Sequence, residues 1–262
     1  MKATLATTAT LEVAGGSIDC SIVPWDSEIF GFPVAVIDRI ELREDHDPAG
    51  LLTALDGWCE DRDVRLVSCR IDHLRLRESM ALEDRGFRFV EMVYVPGLET
   101  FDSIGEPRHA IIVTEAGPAD LAEIERIAYS AFTTGRYLLD WRLPPELSRR
   151  RYAQWVRNSR AAGQAILKAD FEDRIVGFFI VEERIDRSAY WHLTAIAPEA
   201  QGQGLGLSLW QTMLRRHRDE GVIRVQTTVS AHNPAVINLY ARLRFTFQSP
   251  QMTFHWLRRP IA

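Results

Sequence analysis

The chain has 262 residues, 46% hydrophobic and 26% charged, which is enough for one large packed domain or two small ones. Its formal net charge of -5 provides no global positive field, so we expect neither nucleic acid nor membrane as a partner. No run of about 18 apolar residues is present to cross a bilayer, and the first residues are too weakly apolar for a signal peptide.

The three cysteines are Cys20, Cys59 and Cys69. Their odd number and their spacing match neither a disulfide framework nor a zinc site. We therefore expect free thiols, no metal and a cytoplasmic location.

The first part of the chain shows short apolar runs between turn residues. Strands are predicted at IDCSIVPW, PVAVIDRI, VRLVSCRI and FRFVEMVYV, and helices at LLTALDGWCE and in the residues leading to about Arg85. The segment IVPWDSEIFGFPVAVID (22–38) is rich in aromatic residues between two prolines, which indicates either an Ω-type turn or part of a ligand pocket. These elements predict a small α/β domain over residues 1–100.

The second part predicts a mixed α/β domain with antiparallel strand pairs over residues 108–262. A proline- and glycine-containing linker, 96–108, precedes it. In order, the predicted elements are the strand HAIIVTEA, a helix after Pro118, the helix ELSRRRYAQWVRNSR, a meander of AILKAD, RIVGFFIVEERI and AYWHLTAIA, a helix to about Glu220, the strand VIRVQTTVS, a helix from about Asn233 to Arg244, and the strands FTFQ and MTFHWL.

The two parts share one weak similarity. MALEDRGFRFVEMVYV (80–95) resembles LYARLRFTFQSPQMTFHW (239–256), each a helix end followed by a strand. Leu82 stands where the second copy has Tyr240, and no glycine-rich turn precedes the first copy. The N-terminal part is therefore interpreted as a truncated relative of the C-terminal part. The alternative is that two helix-to-strand junctions are similar by chance.

A glycine-rich turn, QGQGLG (201–206), opens an amphipathic helix. Its G-x-G-x-G spacing differs from the dinucleotide fingerprint, and no lysine is near, so it is not a P-loop. Glycines at a helix N-terminus let backbone N–H groups bind an anion. The alternative is a tight turn in which the glycines only relieve steric conflict.

With AHNPAVINLYARLRF (231–245), this turn resembles the two motifs of the GNAT superfamily of acyl-CoA-dependent N-acetyltransferases, [RQ]-x-x-G-x-[GA] after a bulged strand and N-x-x-A-x-x-L-Y-x-x-x-G-F. The resemblance extends over about residues 110–258. Val236 departs from the pattern, and Arg244 replaces the glycine before Phe245, so the turn at the end of that helix is expected to differ.

The resemblance implies a GNAT fold and acetyl-CoA as co-substrate, with direct attack of an amine on the thioester. In that reading Tyr240 is the general acid that protonates the departing thiolate. The alternative for Tyr240 is an aromatic side chain packed at the helix-to-strand junction. The implied cofactor-binding residues are Thr194, Ala195, Ile196, Gln201, Gly202, Gln203, Gly204, Leu205, Gly206, Leu207 and Asn233.

The general base is less defined. Some family members carry a glutamate at the position of Thr228, so that carboxylate is absent. Glu182, Glu183 and His192 are candidates for a base or a water-linked relay. Each residue also has a purely structural alternative. The two glutamates can be the solvated end of a strand, and His192 can be a core or edge histidine with its hydrogen bonds satisfied.

We expect a small-molecule amine as acceptor and treat a homodimer as one candidate assembly. W-D-S-x-x-F-G-x-P (25–33) and RYAQWVRNS (151–159) resemble two-domain family members that acetylate a nucleotide-linked amino sugar. Candidate acceptor-binding residues are Trp25, Asp26, Phe30 and Arg136. Acetylation of a protein N-terminus, a natural-product amine or an aminoglycoside is an alternative, and a non-catalytic acyl-CoA-binding regulatory module is another.

Overall fold

The computed structural model describes residues 7–102 and 104–258. Within them the chain forms twelve strands and eight α-helices. The strands are β1 (Thr8–Val13), β2 (Gly16–Ile22), β3 (Val34–Leu42), β4 (Leu66–Asp72), β5 (Arg88–Leu98), β6 (Ile112–Glu115), β7 (Ala165–Phe171), β8 (Arg174–Glu183), β9 (Ser188–Ile196), β10 (Arg224–Thr227), β11 (Val229–Ser230) and β12 (Thr246–Leu257). The helices are α1 (Pro24–Phe30), α2 (Ala49–Asp61), α3 (Leu76–Asp84), α4 (Leu121–Ala131), α5 (Arg136–Leu139), α6 (Pro145–Ala161), α7 (Leu205–Asp219) and α8 (Pro234–Arg242). None of the described helices is long and apolar enough to cross a membrane.

The described chain divides into two compact units. Of the described residues, the first unit contains 7–93, 139–147 and 249–258, and the second contains 94–102, 104–138 and 148–248. The division falls within β5, close to the predicted linker, and again within β12. The first unit therefore also contains two segments that follow the predicted boundary at 96–108 in the sequence.

In the first unit, β1, β2 and β3 form an antiparallel meander, β3 and β4 are parallel, and β4 is antiparallel to the end of β12. Helix α2 connects the two parallel strands, as a parallel pair requires. The largest fully buried side chains of this core include Ile18, Leu51, Leu55, Leu66, Leu82, Phe87 and Phe254.

In the second unit, β6, β7, β8 and β9 are successively antiparallel, and β9 is parallel to β10. Helix α7 connects β9 to β10. Its buried residues recur at helical spacing and give it one apolar face that packs into the core. Those residues are Leu205, Ser208, Leu209, Trp210, Gln211, Met213, Leu214 and His217. The predicted mixed α/β fold and antiparallel meander are confirmed.

The two units repeat one strand pattern in detail. The β3–β4 parallel pairing ends at Ile37 opposite Cys69, and the β9–β10 pairing ends at Trp191 opposite Thr227. In each case the next residue is skipped in the pairing with the preceding strand, which makes it a β-bulge. The skipped residues are Asp38 and His192. The sequence similarity between the two parts thus corresponds to a similarity of topology.

The helix ends that carried the sequence similarity also match. At the end of α8, Phe245 N donates to Tyr240 O at 3.0 Å and Arg244 N donates to Ala241 O at 3.0 Å, the two bonds of a Schellman turn. Phe87 and Gly86 make the same bonds after α3. Arg244 adopts a φ of 62°, close to the 88° of Gly86. The expectation that this turn differs is therefore wrong, because the arginine keeps the glycine-type turn at the cost of a left-handed conformation.

Four local predictions differ from the structure. Residues 24–30 form α1 rather than an Ω-type turn, because Pro24 starts a helical turn and Gly31, at a φ of 75°, ends it. The strand 222–230 is broken at Thr228 into β10 and β11. The two closing strands are one, β12, and β1 lies in residues for which no element was predicted.

Candidate active site

The glycine-rich turn leads directly into α7. Gly202 and Gly204 have φ values of 75° and 76°, a left-handed conformation that favours glycine. The side chains of Gln201 and Gln203 donate to the carbonyl groups of Ile196 and Glu199 rather than to the helix. No side chain caps the N-terminus of α7. The first N–H groups of this 15-residue helix are therefore available to an anion.

The third glycine is required by close packing rather than by its backbone angles. A Cβ built on Gly206 lies 3.1 Å from the side chain of Ile196, whereas one built on Gly202 meets nothing within 4 Å. Turn geometry thus accounts for Gly202 and Gly204, and close packing accounts for Gly206. The uncapped N–H groups are the feature that goes beyond a turn, and they fit a phosphate group.

The parallel strands β9 and β10 separate next to this turn. Their pairing ends at Trp191 and Thr227, while β9 continues to Ile196. Thr194, Ala195 and Ile196 remain paired with β8 on the other side. Because no pairing with β10 is present there in the described chain, the backbone of these three residues offers hydrogen-bonding groups to an extended ligand.

Tyr240 lies at this separation and is only 1% exposed. Its ring packs against Phe245 at a centroid distance of 4.8 Å and against Trp210 at 6.5 Å. Burial raises the pKa of the phenol above its usual value, and the neighbouring polar groups of Trp210, Thr194 and Thr227 partly offset that rise. The indole Nε1 of Trp210 is buried and has no hydrogen-bond partner among the described residues. The phenol is therefore protonated at neutral pH, as a proton donor requires.

Asn233 has a structural contact of its own. It is the N-cap of α8, where its side chain accepts a hydrogen bond from Val236 N at 3.2 Å. Asn233, which is predicted to bind the cofactor, therefore also caps the helix that carries Tyr240. The amide NH₂ group of Asn233 is not used by this cap.

The structure brings two of the three candidate bases together. His192 Nε2 lies 2.7 Å from Glu182 Oε2. Glu182 also accepts from Arg184 Nε at 3.2 Å, and the hydrogen bond with His192, followed by that with Arg184, lowers the pKa of Glu182. The carboxylate therefore stays ionised beside the imidazole and orients its ring. His192 is the bulge residue of β9, so the extra residue in the strand is what positions this pair.

Glu183 lies elsewhere, close to His217 and Glu220. Trp191 Nε1 donates to His217 Nε2 at 3.0 Å, so the proton of the neutral imidazole is on Nδ1. The nitrogen facing the two glutamates thus has no lone pair to give a metal ion. Burial lowers the pKa of His217 to about 4. His217 is therefore a buried contact of Trp191, and its Nδ1 does not fit a metal ion. Glu183 is exposed, and its role as a base stays a prediction.

The candidate acceptor residues belong to different units. Trp25, Asp26 and Phe30 are on α1 in the first unit, where Asp26 is 1% exposed. Arg136 is on α5 in the second unit, and its guanidinium lies 4.8 Å from the ring centre of Tyr137. Asp26 and Phe30 are buried, at 1% and 6% exposed, whereas Trp25 and Arg136 are partly exposed. Their roles in acceptor binding stay predictions.

Sequence reasoning missed the surroundings of Tyr240. The hydroxyl groups of Thr194 and Thr227 and the indole of Trp210 reach the phenol from two strands and a helix. No spacing in the sequence links these positions. A bulge in this strand was expected, because the family motif follows a bulged strand. Its position at His192 and the contact of His192 with Glu182 depend on the register of β8 and β9.

Comparisons with known proteins agree with this geometry. Residues 121–245 match the model of the acetyltransferase (GNAT) family. The dTDP-fucosamine acetyltransferase of Escherichia coli O6:H1 is 27% identical over 252 residues, which is 92% of this chain and 99% of that protein. A mycothiol acetyltransferase of Saccharopolyspora erythraea is 35% identical over 80 residues, 30% of this chain and 26% of the relative. The chain thus spans about a quarter of that relative.

Among solved structures, a GCN5-related N-acetyltransferase from Sphaerobacter thermophilus has a TM-score of 0.67 at 18% identity, covering 94% of this chain and 78% of that chain. At this identity the likeness concerns the fold. It includes the first unit as well as the second, because nearly the whole chain is covered.

Proposed function

Because residues 121–245 match the model of the acetyltransferase (GNAT) family, we propose that this chain transfers an acetyl group from acetyl-CoA to a primary amine of a small molecule. The feature that most supports the proposal is the position of the glycine-rich turn. It presents uncapped N–H groups of α7 next to the point where β9 and β10 separate. A phosphate at the turn and an extended chain along β9 are what a CoA molecule would supply.

Residues of the second unit have separate roles in this proposal. The N–H groups of Gly202–Leu207 bind the pyrophosphate, with Gln201 and Gln203 holding the turn. Thr194, Ala195 and Ile196 pair through their backbones with the pantetheine, and one of these N–H groups stabilises the oxyanion. Asn233 uses its free amide NH₂ group to bind the cofactor.

The chemical step is a direct acyl transfer. The acceptor nitrogen forms a bond to the thioester carbon, and the carbon–sulfur bond breaks. Tyr240 gives its proton to the departing thiolate, while the Thr194 hydroxyl and the Trp210 indole N–H stabilise the phenolate that remains. His192 takes the proton that the amine loses, directly or through water. Glu182 holds the imidazole in place through its contact with Nε2.

For the acceptor, we propose a nucleotide-linked amino sugar. Support comes from the E. coli dTDP-fucosamine acetyltransferase, which aligns along nearly its whole length at 27% identity. The alignment covers 92% of this chain, including the candidate acceptor residues Trp25, Asp26, Phe30 and Arg136. The chain would act in the cytoplasm, where acetyl-CoA is available.

The test is thiol release from acetyl-CoA in the presence of dTDP-4-amino-4,6-dideoxygalactose. We expect release that depends on the sugar and requires its amine, so the N-acetylated sugar is the matched control. Turnover with another amine but not with this sugar contradicts the proposed acceptor and leaves the transferase activity standing. Binding of CoA without turnover of any amine would instead indicate the regulatory module.

A further inference from the structure

His109 lies beside the glycine-rich turn without being part of it. A Cβ built on Gly204 would be 3.9 Å from His109 Nε2, and, apart from the residues next to Gly204 in the chain, no other described residue has an atom within 4 Å of that point. The imidazole is therefore the side chain next to the N-cap of α7. His109 is partly exposed, so a ligand at the turn can reach it.

The position of this histidine is fixed by backbone and ring contacts. The N–H groups of Arg108 and His109 both donate to Ser208 Oγ, at 3.0 and 3.2 Å. Ser208 is 2% exposed and lies in the first turn of α7. The ring of His109 also packs edge-on against Phe171 at 5.6 Å. These contacts tie the segment before β6 to the start of α7.

The turn contains no other side chain suited to an anion. Gln201 and Gln203 use their amide groups on backbone carbonyls, and Glu199 is paired with Arg126. Neither ring nitrogen of His109 makes a hydrogen bond within residues 7–102 and 104–258. An imidazole can donate from Nε2 as the neutral tautomer and as the imidazolium.

We propose that His109 is a ligand of the bound diphosphate, donating a hydrogen bond from Nε2 to an oxygen that the N–H groups of α7 also bind. The proposal rests on the function proposed above, since it takes the anion at the turn to be part of CoA. It adds a side-chain contact, from a segment before β6, to a site otherwise built from backbone.

The test is the affinity for CoA, measured by isothermal titration with H109L, H109Q and wild-type protein. Loss of a hydrogen bond to a charged group costs about 10-fold or more in affinity. We expect that loss in H109L and less than about 3-fold loss in H109Q, whose amide can still donate. H46L, which alters an exposed histidine of the first unit, should bind as wild type does.

Two further arms separate the alternatives. Dephospho-CoA retains the pyrophosphate and lacks the 3′-phosphate, so H109L should weaken its binding as much as that of CoA. At saturating acetyl-CoA, kcat of H109L should equal that of wild type, with the change confined to KM.

Unchanged affinity in H109L overturns the proposal. So does a loss seen with CoA but not with dephospho-CoA, which would assign His109 to the 3′-phosphate. Equal losses in H109Q and H109L, together with a lowered melting temperature, would show that the ring only packs. If the wild-type protein binds no CoA, the proposed function itself fails, an outcome distinct from these.

Discussion

His192 and Glu182 are joined by a 2.7 Å contact between Nε2 and Oε2, across the bulge of β9. The first unit has the same arrangement at its own bulge, where Ser21 Oγ donates to Asp38 Oδ2 at 2.8 Å. The fold therefore pairs these two positions in both units. The second unit fills them with a glutamate and a histidine, and the first unit with a serine and an aspartate.

The first prediction concerns this pair. His192→Gln should lower kcat by about 10²-fold or more, the usual range for loss of a general base, with KM for acetyl-CoA nearly unchanged. Glu182→Gln should have a smaller effect in the same direction, because the imidazole remains. Glu183→Gln is the matched control on the same strand and should retain full activity. Equal kinetics in H192Q and wild type would remove His192 from the proton path.

The second prediction concerns the buried phenol. Tyr240→Phe should lower kcat at least about 10-fold while the Kd for CoA stays near the wild-type value, because the ring is kept and only the proton is lost. Tyr190→Phe is a matched control, since Tyr190 is partly exposed on β9. Steady-state kinetics with a titration of CoA checks both. Full activity in Y240F would leave Tyr240 as a packing residue.

The third prediction concerns backbone strain at the end of α8. Arg244→Gly should raise the free energy of unfolding by about 1 kcal/mol. A non-glycine residue at a φ of 62° is disfavoured by about 1–2 kcal/mol, and glycine relieves this cost. Glycine also has more conformational entropy in the unfolded chain, which offsets part of the stabilisation. Gly86→Ala at the matching turn should be destabilising, although a Cβ there meets nothing within 4 Å. Denaturant unfolding measures both changes. A destabilised R244G would show that the arginine side chain contributes more than its backbone costs.

The fourth prediction concerns pH and His217. Burial lowers the pKa of this imidazole to about 4 from an ordinary 6.5, so between these values the unfolded chain binds more protons than the folded chain. The stabilisation that His217 contributes is fully present above about pH 6.5 and is lost as the pH falls toward 4. The free energy of unfolding that is lost in this way is at most about 3 kcal/mol.

The matched variant for this prediction is His217→Gln, whose amide oxygen can accept from Trp191. Its melting temperature should fall less between pH 7 and pH 5 than that of the wild type. Parallel curves for the two proteins would contradict the assignment of this pH dependence to His217.

How far the sequence predicts the structure differs between elements. The meander and α7 follow from apolar periodicity, because each buries one face along a continuous segment. The motif also indicated the turn at Gly202 and Gly204, where a left-handed backbone leaves glycine as the preferred residue. Helix α1 was not predicted, since seven residues with several aromatic side chains carry little helical periodicity.

Contacts between distant segments were the least predictable part. The neighbours of Tyr240 and the approach of His109 to Gly204 depend on strand register and on the packing of a segment about 95 residues away in sequence. Predicting the contact between Glu182 and His192 would require knowing at which residue of β9 the bulge occurs. These are properties of tertiary structure that no local pattern encodes.

The central claim is that this chain transfers acetyl groups from acetyl-CoA to an amine, using the turn at Gly204. The most direct measurement is mass spectrometry of a reaction of ¹³C-acetyl-CoA with a panel of primary amines that includes dTDP-4-amino-4,6-dideoxygalactose. We predict one labelled N-acetyl product, formed in an amount equal to the free CoA, and its absence with folded Gly204→Val protein. CoA release without an acetylated amine, or equal product from the Gly204→Val variant, would contradict the account.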